Sequence, residues 1–238
     1  MASARTGSNL LQSLLASHGQ IVCYGELFND SEPGKILWNT QQATTAEDIE
    51  LRDADPCGFL ERRVYAVPQE VRAVGFKLFD LHALQGPWRV IWPHLQAMPG
   101  LRVLHLRRVN LLRKMVSEIL AARTGRWWIT RDEDAYQDVS IELGYDECVS
   151  AFTSARNYAR EGMERLAGQP VLELSYEALV QATDVETNRV LEFLGLPARP
   201  LQVSIKRQLR QPLSTVVRNY AELAARFAGT PDASFFDE

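Results

Sequence analysis

The stretch Arg5-Thr6-Gly7-Ser8-Asn9 is short, polar and glycine-containing, and the leucines that follow it have helical spacing. This pattern predicts a turn that opens a helix over residues 9–17. The first N–H groups of a helix have no partners within it and carry partial positive charge. A flexible loop there can close around an anion, and Arg5 adds a full positive charge. The alternative is an ordinary turn in which Ser8 or Asn9 caps the helix.

Strand-like and helix-like segments alternate along the rest of the chain. Apolar runs predict strands over residues 20–24, 74–79, 101–106 and 170–174. Amphipathic spacing predicts helices over residues 58–66, 68–72, 88–97, 109–123, 144–167 and 182–195. Residues 31–57 are polar and are predicted as a variable loop or substrate lid. Residues 124–143 form a second polar segment, which carries Trp127 and Trp128. The alternation indicates an α/β fold with a central parallel β-sheet flanked by helices, whose ligands bind at the carboxyl ends of the strands.

Composition limits the class of protein. The chain has 238 residues, enough for one α/β domain, and we expect residues 1–238 to form a single domain. The net charge of −4 argues against a broad nucleic-acid-binding surface. Cys23, Cys57 and Cys148 are too widely spaced for a zinc knuckle and favour a reducing compartment. With no signal peptide and no membrane-length apolar run, the expected location is the cytoplasm.

Residues 5–29, RTGSNLLQSLLASHGQIVCYGELFN, carry a resemblance to a known family. They resemble the opening of the sulfotransferases that use 3'-phosphoadenosine 5'-phosphosulfate (PAPS). The most similar branch is the bacterial glycan group, the Nod-factor, lipopolysaccharide and trehalose sulfotransferases. The resemblance implies a P-loop nucleotide-kinase-like fold whose first loop holds the 5'-phosphosulfate. The residues implied for that contact are Arg5, Thr6, Gly7, Ser8 and Asn9.

A second motif begins where the strand predicted at 101–106 ends in Arg107 and Arg108, with Ser117 in the following helix. Cations at a helix N-terminus oppose its dipole unless an anion pairs with them. In the sulfotransferases a strand-terminal arginine and a helical serine hold the 3'-phosphate, so the resemblance implies Arg108 and Ser117. The interval differs by one residue from the commoner one, and Arg107 therefore remains an alternative.

A third motif, Tyr176-Glu177-Ala178-Leu179, matches the family's strand that ends in Tyr-Glu-x-Leu. The resemblance implies that Tyr176 faces the adenine, whereas the sequence alone favours a core aromatic. In the family a C-terminal basic loop closes over the 3'-phosphate, although its glycine-containing form is absent here. The candidates for that loop are Lys206, Arg207 and Arg210.

Sulfuryl transfer needs cations near the leaving oxygen and a base for the acceptor hydroxyl. Arg5 and Lys77 are the candidate cations, because a lysine in an apolar strand is costly unless it lies at the open end. The candidate base is Glu26, which follows a predicted strand in Tyr24-Gly25-Glu26 and matches the base of the glycan sulfotransferases. His82 and His94 are weaker candidates on the acceptor side. No metal is expected, because no ligand spacing such as His-x-x-x-His occurs.

The sequence therefore predicts a PAPS-dependent sulfotransferase that acts on a hydroxyl of a carbohydrate or glycolipid. Expected partners are a small-molecule or glycan acceptor, with no nucleic acid and no stable membrane insertion. The alternatives are a nucleotide-dependent kinase-like enzyme of related fold and a non-catalytic nucleotide- or glycan-binding module. One departure from the family concerns its hydrophobic first strand: only residues 1–4 precede Arg5, so that strand is very short or the chain starts late.

Overall fold

A computed structural model describes residues 1–32, 34–36, 44–127, 129, 139–203, 209 and 211–237. The chain divides into two compact units. The first comprises Met1–Arg107 and Tyr158–Val203, and the second comprises Arg108–Asn157 and Ser204–Glu238.

Regular elements alternate as the sequence predicts. The strands are β1 (Ile21–Glu26), β2 (Ala73–Lys77), β3 (Val103–Arg107) and β4 (Val171–Ser175). The α-helices are α1 (Ser8–Ala16), α2 (Ala46–Ala54), α3 (Pro56–Phe59), α4 (Ile91–Gln96), α5 (Leu111–Thr124), α6 (Tyr145–Glu164), α7 (Tyr176–Gln181), α8 (Thr183–Leu194), α9 (Leu213–Val216) and α10 (Tyr220–Phe227). Shorter pieces are the π-turn Leu60–Val64 and the 3-10 turns Pro87–Val90 and Ala233–Phe236.

The sheet of the first unit is parallel. β1 pairs with β2, β3 pairs with β4, and Ala2 forms a parallel bridge with each of Phe79 and Leu106. The Ala2 N–H donates to the Leu78 carbonyl at 3.2 Å, and the Leu106 N–H donates to the Met1 carbonyl at 3.0 Å. The order across the sheet is therefore β1, β2, Ala2, β3, β4, and the predicted parallel sheet flanked by helices is confirmed. Met1 and Ala2 therefore lie between β2 and β3.

Two apolar clusters hold the first unit together. One packs α1 and α8 against the sheet through Leu14, Leu106 and Val190. The other packs α3 and α4 through Phe59 and Ile91. A third cluster lies wholly in the second unit, where α5, α6 and α10 contribute Leu112, Phe152 and Phe227. Asn110 begins α5, because its side chain accepts a hydrogen bond from the Arg113 N–H at 2.8 Å.

The segment predicted as a loop or lid, residues 31–57, contains helix α2 and the start of α3, so that prediction is wrong for its described second half. Thr45 and Asp48 form a capping box at the start of α2. The buried residues of α2 are Asp48 and Arg52, so the helix carries no apolar stripe that periodicity could detect.

Two further predictions differ from the structure around residues 68–72 and 170–182. Residues 68–72 form a single turn closed by the Val71 N–H on the Pro68 carbonyl, not a helix. Strand β4 ends at Ser175, whose side chain caps the unpredicted helix α7, so Tyr176 begins a helix. In both places a local hydrogen bond, in a turn or in a helix cap, determines the backbone conformation.

Arg52 is fully buried and supports the chain after β1. Its guanidinium donates to the Leu27 carbonyl at 3.3 Å and the Lys35 carbonyl at 3.5 Å, and lies 4.3 Å from the Trp88 ring centroid. Its Nε also pairs with Asp53 at 2.8 Å. A buried cation is stable in such a place because acceptors and an aromatic ring surround the guanidinium.

Replacing Arg52 by Ala should lower the free energy of unfolding by about 2–4 kcal/mol, because buried carbonyls lose their donor and a cavity remains. The control is Arg62→Ala, which removes the exposed pair with Asp55 and should cost less than about 1 kcal/mol. Urea denaturation of both variants measures the difference. Equal losses would show that Arg52 contributes no more than a surface charge.

Candidate functional site

The loop before α1 has the form of an anion cradle. Gly7 is the N-cap residue with φ 90°, and no side-chain cap hydrogen bond forms there. Arg5 also has a positive φ, 63°, a conformation that costs a non-glycine residue about 1–2 kcal/mol. Helix α1 begins at Ser8, so neither Ser8 nor Asn9 stands at the N-cap position that the capped-turn alternative gives them.

Thr6 stabilises this loop from inside. Its side chain is buried, and its hydroxyl donates to the Ser3 carbonyl at 2.8 Å. Ser3 in turn donates from Oγ to Asp80 Oδ2 at 2.6 Å. The hydroxyl proton of Thr6 is thus used within the loop.

Tyr176 lies against the loop. A Cβ built on Gly7 would stand 2.3 Å from Tyr176 Cδ2, well inside any allowed contact. The ring of the third motif therefore packs directly on the first motif, a contact that the sequence alone, which favours a core aromatic, does not indicate. Glycine is required at position 7 both for its φ and for this close approach.

Lys77 ends β2 and reaches the same edge of the sheet. Its Nζ lies 2.5 Å from Asn9 Oδ1 on α1 and 3.1 Å from Glu26 Oε1 at the end of β1. Its side chain is 11% exposed, so the charge is held largely by these two oxygens. The structure confirms that Lys77 lies at the open end of its strand, as its charge requires.

A register shift brings Glu26 to Lys77. Tyr24 pairs with Phe76, but Glu26 and not Gly25 pairs with Lys77, so Gly25 is an extra residue in β1. Successive strand residues face opposite sides, and a bulge of one residue changes which side chain meets a given partner. Without this bulge, Gly25 and not Glu26 would lie opposite the lysine.

Two more side chains approach Glu26, and the sequence predicts neither of these contacts. Asn29 Nδ2 donates to Glu26 Oε2 at 2.9 Å, and His82 Nε2 lies 4.0 Å from the same oxygen. Burial lowers the pKa of His82 to about 4, with Glu26 opposing that shift and Lys77 adding to it. His82 is thus neutral at physiological pH. The spacing Glu-x-x-Asn is the sequence signal that could have pointed to Asn29.

The arginines of the second motif have different surroundings. Arg107 ends β3 with a 61% exposed side chain and pairs with Glu173 at 3.0 Å. Arg108 is only 8% exposed, and Ser117 on α5 is 3% exposed. Both belong to the second unit.

The remaining sequence candidates have less to do with this edge of the sheet. His94 lies on α4 near Glu61. A further histidine, His105, is buried in β3 beside Glu173. The basic residues Lys206, Arg207 and Arg210, like Trp128, lie outside the described residues.

The described ranges hold neither a metal cluster nor a membrane span. Across them, no three His, Cys, Asp or Glu side chains are grouped closely enough to hold a metal ion. No helix in the same part of the chain is long and apolar enough to cross a membrane.

Known proteins resemble this chain over most of its length. A family model described as "Sulfotransferase family" matches residues 1–200. "Nodulation protein H" of Rhizobium meliloti is 28% identical over 243 residues, covering 100% of this chain and 93% of the relative. The protein of the same name from Rhizobium tropici is 28% identical over 239 residues, covering 100% and 91%.

A solved structure shares the fold. The sulfotransferase from Alicyclobacillus acidocaldarius superposes with a TM-score of 0.52 at 16% identity, covering 100% of this chain and 92% of that one. This similarity confirms the predicted sulfotransferase fold. At 16% identity it is evidence about the fold alone.

Substituting Ala for Gly7 should distort the cradle, because the new Cβ would collide with the Tyr176 ring in addition to straining φ. We expect a loss of about 2–4 kcal/mol in unfolding free energy. Gly19→Ala is the matched control, since Gly19 has φ 79° but nothing within 4 Å of its Cβ. That variant should lose only about 1–2 kcal/mol. Thermal denaturation of both tests this, and equal losses would mean that Tyr176 yields freely.

Proposed function

Because the chain belongs to the sulfotransferase family, we propose that it transfers a sulfuryl group from PAPS to a hydroxyl of a carbohydrate. The observation that carries this proposal is the contact of Lys77 with both Asn9 and Glu26. It joins a cation, the start of α1 and a carboxylate at the carboxyl ends of two parallel strands, where α/β proteins bind ligands.

The cradle at residues 5–9 fits the anionic end of such a donor. Its uncapped first-turn N–H groups carry partial positive charge, and Arg5 and Lys77 add full charges. Bound PAPS supplies an activated sulfuryl group on a phosphate leaving group. The backbone of residues 6–9 would hold the terminal anion, with Gly7 permitting the close approach that a side chain would block.

Lys77 is the residue best placed to offset charge on the oxygen that leaves. Its ammonium group has three protons, and within the described part of the chain two of them are directed at Asn9 and Glu26. The third direction is left for a donor oxygen. Arg5 supports the same charge from the strained loop. In related group transfers, most of the rate acceleration comes from positioning and from electrostatic stabilisation of this kind.

Glu26 is proposed as the general base. Its side chain is 15% exposed, so an acceptor hydroxyl can reach it while most of the carboxylate is shielded from water. Lys77 holds Oε1 and Asn29 holds Oε2, and this fixes the orientation of the carboxylate. A positioned base removes the hydroxyl proton as the oxygen attacks sulfur.

Arg108 and Ser117 are proposed to bind the 3'-phosphate of the donor. Their burial supports this choice over Arg107, because Arg107 is exposed and already pairs with Glu173. Buried guanidinium–phosphate contacts are strong and bidentate. Tyr176 is proposed to contact the nucleotide beside Gly7, and Lys206, Arg207 and Arg210 are proposed to close over the 3'-phosphate.

The carbohydrate acceptor rests on the resemblance to glycan sulfotransferases and on the full-length similarity to proteins named for nodulation. A cytoplasmic location is proposed as well, supported by three cysteines that are all free thiols. A kinase-like activity is the alternative that donor selectivity tests directly.

Thermal shift with 3'-phosphoadenosine 5'-phosphate should show strong stabilisation, about 2.7 kcal/mol at a hundred times its dissociation constant. ATP with Mg²⁺ should stabilise less, because it lacks a 3'-phosphate. Arg108→Ala should weaken the bisphosphate by about 2–4 kcal/mol, and the control Arg107→Ala by less than about 1 kcal/mol. An equal shift with ATP would favour the kinase alternative, and a reversed order of the variants would assign the contact to Arg107.

Glu26→Gln should lower kcat by about 10²–10⁴-fold, because the amide keeps the shape of the carboxylate but cannot accept the proton. Affinity for 3'-phosphoadenosine 5'-phosphate should stay near that of the wild type. Sulfate transfer to a hydroxyl acceptor, followed with labelled PAPS, measures the first quantity and calorimetry the second. Retained turnover in Glu26→Gln would exclude Glu26 as the base.

A further inference from the structure

His82 is a buried titratable side chain to which the proposed chemistry gives no role. It follows β2 by five residues and is 5% exposed. Its ring lies 4.8 Å from the Phe79 ring at 32°, and its backbone carbonyl accepts from Trp92 Nε1 at 3.2 Å. The next residue, Ala83, is fully buried with φ 54°, so the backbone here is held in a conformation that alanine rarely adopts.

The hydrogen bonding of the ring selects one tautomer. The Phe79 N–H donates to His82 Nδ1 at 3.3 Å, which makes Nδ1 the acceptor and leaves the proton on Nε2. That Nε2–H faces Glu26 Oε2 across 4.0 Å. The separation is longer than a hydrogen bond, but contacts in active sites commonly shorten when substrate is bound.

The charge state of the ring matters for a base. The charged groups acting on His82 are Glu26 and Lys77, and burial keeps the ring neutral, with its pKa lowered to about 4. A neutral N–H donor can orient a carboxylate without placing a second cation beside it.

The geometry points to His82 as a positioning residue whose neutral Nε2–H orients the Oε2 atom of Glu26 toward the acceptor hydroxyl. This inference rests on the proposed role of Glu26 as base. With Asn29 on the same oxygen and Lys77 on the other, three groups from two chain segments then fix one carboxylate. Rigid support of this kind is what a reacting group requires.

Two substitutions of His82 test the roles of Nδ1 and Nε2 separately. His82→Asn keeps an acceptor for the Phe79 N–H but places no donor near Glu26, whereas His82→Gln supplies a donor at the reach of Nε2 and gives up the Phe79 contact. We expect His82→Asn to lower kcat by about 10- to 100-fold with unchanged affinity for 3'-phosphoadenosine 5'-phosphate. His82→Gln should recover most of kcat, even though its melting temperature falls. The ratio of wild-type to His82→Asn kcat should stay constant from about pH 5.5 to 8, because neutral His82 does not titrate there.

A double-substitution cycle shows whether His82 acts through Glu26. In the Glu26→Gln background, His82→Asn should leave the residual rate unchanged, since the group it positions no longer accepts a proton. A further drop there, or a greater loss in His82→Gln than in His82→Asn, would overturn the inference in favour of a packing role. So would wild-type kcat in His82→Asn.

Other outcomes keep the two proposals apart. If Glu26→Gln lowers kcat and His82→Asn does not, the inference about His82 fails while the base role stands. If Glu26→Gln retains turnover, the base role itself fails. Should His82→Asn not fold, His82→Phe replaces it, since Phe keeps the ring stacked on Phe79 without either nitrogen. Low kcat in His82→Phe with recovery in His82→Gln supports the inference, and equal kcat in the two overturns it.

Discussion

The Lys77 ammonium group imposes the constraint on which the candidate site depends. A largely buried cation is costly in an apolar strand unless oxygens surround it, and here Asn9 and Glu26 supply them. Asn9 lies on α1, Glu26 ends β1 and Lys77 ends β2. Satisfying one charge therefore holds the start of α1 and the Glu26 carboxylate in a fixed relation to each other.

The backbone prepares this meeting in two ways. The parallel bridges of Ala2 with Phe79 and Leu106 bring the loop at residues 3–7 to the carboxyl edge of the sheet. The bulge at Gly25 turns Glu26 onto the side where Lys77 points. Both devices act on the strand ends and leave the apolar strand interiors regular, so the core and the site are built from the same strands without conflict.

A buried polar layer supports the segment that follows Glu26. Arg52 holds the carbonyls of Leu27 and Lys35, and Asn29 between them returns to the carboxylate. Helix α2 thus buries the guanidinium of Arg52 at a position where most helices bury a leucine. This explains how a helix with a polar sequence can have a buried face. Stability and positioning are coupled here, because loosening Arg52 would free the segment from which Asn29 orients the Glu26 carboxylate.

The sequence by itself determined the local features: the turn that opens α1, the four strands, the alternation that makes a parallel sheet, and the strand-end places of Glu26 and Lys77. These follow from periodicity and turn chemistry over a few neighbouring residues. Only the tertiary structure decided that Glu26 meets Lys77 through an extra residue in β1, that Tyr176 packs on Gly7, and that His82 faces the carboxylate. The physical reason is that these contacts join residues tens of positions apart, and their geometry is set by strand register and packing, which no local pattern encodes.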